Sequence, residues 1–139
     1  KMLRRIAQTL AALGVQEALV VHGSGLDEVA LHGETRAIRL SGDHVDELQI
    51  TPEDAGIERA PLKVVTGGDV EENATRLRAV LQGRASGPEE DIVTLNTAAL
   101  LLTAGKAQSL EQAAQQARAA LREGRAGEAL ERYVEASRD

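Results

Sequence analysis

The chain has 139 residues, 42% of them hydrophobic but only 1% aromatic, with a formal net charge of -6 and no cysteine. That length suits one domain with chain enough to bury a core, and the lack of Cys excludes disulfides and thiolate metal sites. An acidic surface with a single Tyr and no Phe or Trp repels phosphate backbones and anionic lipid and gives bases nothing to stack on, so neither nucleic acid nor a membrane is an expected partner.

The opening stretch, KMLRRIAQTLAALG, is helical at once: Leu3, Ile6, Leu10 and Leu13 recur at helical spacing and Gly14 stands at the C-terminal cap position. No capping residue precedes it, and the native chain is expected to begin further upstream. EALVVHG follows as a short apolar strand of the kind buried in α/β sheets. Helix then strand suggests half of an α/β layer unit. Residues 27–51 read as two or three short strands, with turns at His32-Gly33-Glu34 and Ser41-Gly42-Asp43 and an approximate alternation at Arg36, Ile38 and Leu40. In TPEDAGI, Thr51 caps a single turn that begins with Pro52 and stops at Gly56. ERAPLKVVTGG reads as a linker, broken by Pro61 and Gly67-Gly68.

From Asp69 the chain is helical. Asp69 and Glu72 have the spacing of a capping box, and Gly83 closes that helix. Pro88 and three acids open the next, which ends at Gly105 and is apolar nearly all round, hence expected to be buried. Its apolar run TAALLLTA is far short of the roughly 20 residues a membrane span needs, and a cytoplasmic protein is expected. Ser109 caps a third helix with a stripe at Leu110, Ala113, Ala114, Ala117 and Leu121, and a last helix sets Ala126, Ala129, Leu130, Tyr133 and Val134 on one side. The fold expected is α/β: a helix–strand layer of a mostly parallel sheet followed by a C-terminal helical block.

The stretch VVHGSGLDEVALHG holds adjacent carboxylates, Asp27 and Glu28, on a glycine-loosened bend. Neighbours in a strand point to opposite faces, so the two share one metal only if the backbone bends there, which Gly23 and Gly25 make easy. Two hard oxygen ligands suit Mg2+. A solvated turn is the plainer reading, and spacing alone favours it. TGGDVEEN offers glycines before a helix N-terminus, but it has no Lys, no Ser/Thr after the glycines and several acids in the first turn, which exclude a phosphate loop. His22, His32 and His44 have no metal-ligand spacing, although His22 closes the apolar strand beside the acids. Asn96 reads as a buried amide joining helix to loop, and Lys106 as a complement to a helix C-terminus.

The blocks LGVQEALVVHGSGLDEVALHG, ITPEDAGIERAPL, GGDVEENATRLRAVLQG, LNTAALLLTAGKAQSLEQAAQQARAAL and ALERYV occur in an order that resembles the C-terminal part of the anthranilate phosphoribosyltransferase family. The resemblance covers essentially the whole chain. It implies that residues 1–139 are the C-terminal part of the nucleoside phosphorylase/phosphoribosyltransferase α/β domain, with the N-terminal helical domain and the first half of the sheet absent. It implies transfer of the phosphoribosyl group from phosphoribosyl pyrophosphate to anthranilate, with release of pyrophosphate, in tryptophan biosynthesis. It also implies that Asp27 and Glu28 hold Mg2+, with Glu28 able to bridge two ions. The family's glycine-rich pyrophosphate loop, its Lys-His-Gly-Asn stretch and its anthranilate-binding arginine have no counterpart here, so the chain alone is expected to be inactive. The family homodimer, formed through the helical domain, has no interface here. Two alternatives stand beside this: a pyrimidine nucleoside phosphorylase of the same fold, and a non-enzymatic module packing through the helices at 92–103 and 110–121.

Overall fold

The computed structural model describes residues 1–138. Helix α1 (Met2–Ala12) leads into a sheet of β1 (Glu17–His22), β2 (Thr35–Ser41) and β3 (His44–Ile50). A 3-10 turn at Pro52–Ala55 follows, then α2 (Val70–Leu81), α3 (Pro88–Thr103), α4 (Leu110–Arg122) and α5 (Arg125–Ala136). No helix among the described residues is long and apolar enough to cross a membrane.

The sheet order is β1-β2-β3 and both pairings are antiparallel, with Val20 opposite Ile38 and Ile38 opposite Glu47. This corrects the mostly parallel sheet expected from the sequence. Parallel neighbours need a crossover, usually helical. Residues 23–34 between β1 and β2 contain no helix, and Gly42 and Asp43 alone join β2 to β3. The chain therefore doubles back at both connections.

One face of the sheet builds the core. Leu19, Val21, Ala37 and Ile50 pack with Leu95, Ala98 and Ala99 of α3 and with Leu110, Ala113 and Ala114 of α4. The small side chains let α3 and α4 approach each other closely. Leu95 is fully buried, which is worth about 2 kcal/mol against an exposed leucine. The alternation along β2 puts Ile38 and Leu40, both buried, on the opposite face, where α1 contacts β1 and β2.

Most caps form as expected. Thr51 and Asp54 complete a capping box at Pro52, and Gly56 closes the turn in the left-handed region at φ 67°. Ser109 Oγ accepts from Gln112 N at 3.1 Å. Asp69 accepts from Glu72 N at 2.8 Å, but only this half of the expected box is made, because the Glu72 carboxylate instead faces Arg76 at 3.8 Å. One burial expectation fails: Leu100 of α3 is 72% exposed, on the side of its helix away from the buried Leu95, Ala98 and Ala99. Tyr133 of α5 is 73% exposed.

Candidate metal-binding loop

The acidic pair lies in loop 23–34, which leaves the end of β1 and returns to β2. Its floor is apolar: Val29, Ala30 and Leu31, which follow the acids directly, are buried. Asp27 and Glu28 themselves are exposed. Hydrophobic burial of the residues that follow thus fixes the chain while the carboxylates stay in water.

Four interactions hold the loop. Val29 N donates to Asn96 Oδ1 at 2.9 Å, and Asn96 Nδ2 donates to Val29 O at 3.0 Å and to Ile92 O at 3.0 Å. One amide side chain of α3 thus satisfies both polar groups of the residue next to Glu28. Ala30 N donates to the buried Thr35 Oγ1 at 2.9 Å. Ser24 Oγ donates to Glu34 O at 2.7 Å and closes the loop's two ends. Gly23 and Leu26 exchange backbone hydrogen bonds at 3.0 Å. Ser24 adopts φ 50°, a left-handed conformation uncommon outside glycine, and this turns the chain back so that the acids follow at once.

Gly23 serves through closeness, since its φ is not positive. A Cβ on it would lie 2.7 Å from Ala30 N and 2.9 Å from Ala30 Cβ, and nearer still to the Glu28 carbonyl oxygen. Only a residue without a side chain lets the backbone at 23 and at 28–30 pass. This requirement, the Thr35 anchor and the Ser24 closure were not evident in the sequence; the His-Gly pair ending an apolar run was its one visible trace.

Asp27 lines a cleft of about 930 Å³ between the first turns of α1 and the sheet, together with Arg4, Arg5, His22, Arg36 and Glu47. Glu28 is not among its lining residues. Arg4 and Glu47 approach to 3.9 Å. A carboxylate set among guanidinium groups suits a polyanion that arrives with a divalent cation. Among the described residues no three His, Asp or Glu side chains gather as a metal cluster. Two exposed carboxylate residues without an all-protein cage fit Mg2+, which keeps several waters and is usually bound through one or two carboxylates plus substrate phosphates.

Of the other residues singled out in the sequence, His22 is exposed and lines the same cleft, and His44 is exposed next to the β2–β3 turn. His32 Nε2 lies 3.3 Å from Ser24 O, a contact that adds to the loop closure. The Gly67-Gly68 turn is occupied by protein: Gly68 N donates to Asn73 Oδ1 at 2.8 Å and Asn73 Nδ2 donates to Gly68 O at 3.0 Å. Lys106 N donates to Leu101 O at 2.9 Å at the end of α3.

Residues 1–127 match a family described as "Glycosyl transferase family, a/b domain". Over 139 residues the chain is 48% identical to the anthranilate phosphoribosyltransferase of Sorangium cellulosum, covering 100% of this chain and 40% of that one. The crystal structure of anthranilate phosphoribosyltransferase from Thermus thermophilus superposes with a TM-score of 0.88 at 42% identity, covering 99% of this chain and 40% of its own. The anthranilate phosphoribosyltransferase from Saccharomyces cerevisiae in complex with PRPP and Mg has a TM-score of 0.88 at 26% identity, covering 96% and 39%. The chain thus spans about 40% of the length of these relatives.

Proposed function

The chain belongs to this glycosyl transferase family through its a/b domain, and from that membership we propose that it is the C-terminal, Mg2+-holding side of a cytoplasmic anthranilate phosphoribosyltransferase. The observation that carries the proposal is the pair Asp27-Glu28 on a loop fixed to α3 by Asn96. The relatives named above favour this reading over a nucleoside phosphorylase.

In this reading the substrates are phosphoribosyl pyrophosphate and anthranilate, and the step is displacement of pyrophosphate at the ribose carbon by the anthranilate amine. Charge builds on the departing pyrophosphate. Bound Mg2+ supplies positive charge against it. The protein's part is to hold the ligands still. Asp27 offers its carboxylate from the cleft wall and Glu28 from the adjoining position. The Asn96 clamp, the Thr35 anchor and the Ser24 closure fix the backbone on either side, so little reorganisation remains when the charge develops. Arg5 and Arg36 on the same cleft balance further negative charge. No residue of this loop is required as a nucleophile, because the amine of the substrate fills that role.

The test is turnover in the enzyme completed by the N-terminal part of a family member. Asp27→Asn with Glu28→Gln should lower turnover by about a hundredfold or more, the equivalent of ~3 kcal/mol, and raise the Mg2+ concentration needed for half-maximal rate. Unchanged turnover with unchanged Mg2+ dependence would defeat the proposal.

A further inference from the structure

A second pocket lies toward the opposite end of β1 and of α3 from the acidic loop. It has a volume of about 190 Å³ and is walled by Leu19, Leu48, Ile50, Ala99, Leu102 and Leu110. An apolar cavity of ~150 Å³ is enough to take a benzene molecule. Two charged residues border it, Arg39 and Asp54, and their situations differ. Asp54 Oδ2 already accepts from Thr51 N at 2.7 Å and from Thr51 Oγ1 at 2.9 Å.

Arg39 has no such partner. Its Nε is buried and makes no hydrogen bond, and the half-buried side chain enters no ion pair among the described residues. The neighbouring end of α3 does not satisfy it: the carbonyls of Leu100, Leu101 and Leu102 accept from Ala104, Lys106 and Gly105, and Arg39 Nε donates to none of them. Asp46 stands opposite Arg39 in the ladder but is exposed and unpaired with it. A buried guanidinium donor left without an acceptor is costly, and a carboxylate is the group that meets its fork of donors best.

We infer that this pocket is a binding site for a small monocarboxylate with an apolar, ring-sized body. The body fills the leucine and isoleucine walls and the carboxylate accepts from Arg39. The site is separate from the acidic loop and does not depend on the proposed transferase chemistry.

The test is a methyl NMR titration of the full chain with benzoate, and in parallel with benzyl alcohol, its uncharged counterpart. Benzoate should shift the methyl signals of Leu48, Ile50, Leu102 and Leu110 saturably and bind at least tenfold tighter than benzyl alcohol. Arg39→Gln should erase that difference, and Ala99→Phe, which fills the pocket, should abolish both responses. The inference is overturned if no saturable shift occurs at those methyls, or if the two probes bind the unaltered chain equally. It is also overturned if the same methyls shift with protein concentration alone, which would assign the pocket to a second copy of the chain.

Discussion

Asn96→Ala tests whether one amide holds the acidic loop in place. The change removes the acceptor of Val29 N–H, at 2.9 Å, and the donor to Val29 C=O, at 3.0 Å. Its own-helix bond to Ile92 is lost as well, but that carbonyl stays within a helix. An unmet buried backbone group costs about 1–3 kcal/mol. The site is only partly buried, so water recovers some of this, and the two Val29 groups together should cost ~3 kcal/mol. For a domain of this size that lowers the melting temperature by about 10 °C. Circular dichroism on heating gives the total, and amide exchange at Val29 localises it. Asn96→Asp is the sharper variant. At neutral pH its carboxylate still accepts from Val29 N but faces two carbonyl oxygens with no proton to offer, so it should be at least as damaging. The folded state favours the protonated acid and raises its pKa. The recovered stability should then be present below the ordinary carboxyl range of about 4 and vanish as pH rises through the raised value. If Asn96→Ala costs under about 0.5 kcal/mol and Val29 exchange is unaltered, the loop is held by the burial of Val29 and Leu31 and the clamp is incidental.

Gly23→Ala should destabilise by at least ~2 kcal/mol, because the new carbon would sit 2.7 Å from Ala30 N; urea melts measure it, and a near-neutral result would mean that the loop shifts freely. Ser109→Ala should cost about 1 kcal/mol through loss of the α4 cap, with fraying visible in exchange at Gln112. The Arg59 guanidinium, with its Nε 2.8 Å from Glu53 Oε1, holds the Glu53 carboxyl below its ordinary value. Stability from this pair is present above the unfolded-state value and is lost as pH falls through the lowered one. In Arg59→Ala the Glu53 carbon signal should titrate at higher pH than in the parent.

The helices were legible because their signals are local. Asp69, Ser109, Thr51 with Pro52, and Gly56 each sit where cap chemistry places them, and the stripe Leu110, Ala113, Ala114, Ala117, Leu121 is buried along its whole length. Asn96 was legible too, since an amide inside an apolar helix must find partners. Strand direction was not. EALVVH reads the same in a parallel or an antiparallel sheet, and the decision lies in residues 23–34, whose lack of a helical pattern carries the information only indirectly. Tyr133 and Leu100 show the limit of periodicity: it finds an apolar face without finding what covers it. The acidic pair drew notice through adjacency, but its fixed position comes from Thr35 and Asn96, contacts made across the fold that no short motif encodes.

Gly23 carries a consequence for heredity. Every single-nucleotide change that alters a glycine codon without ending the chain installs at least one carbon on the backbone, and here that carbon meets main-chain atoms that cannot swing aside. The position therefore has no gentle mutational neighbour. Gly25, only two places along, has open space around it and φ 102°, so its constraint is one of backbone geometry rather than room. In a library of random variants selected for a working loop, codon 23 should come back almost unaltered.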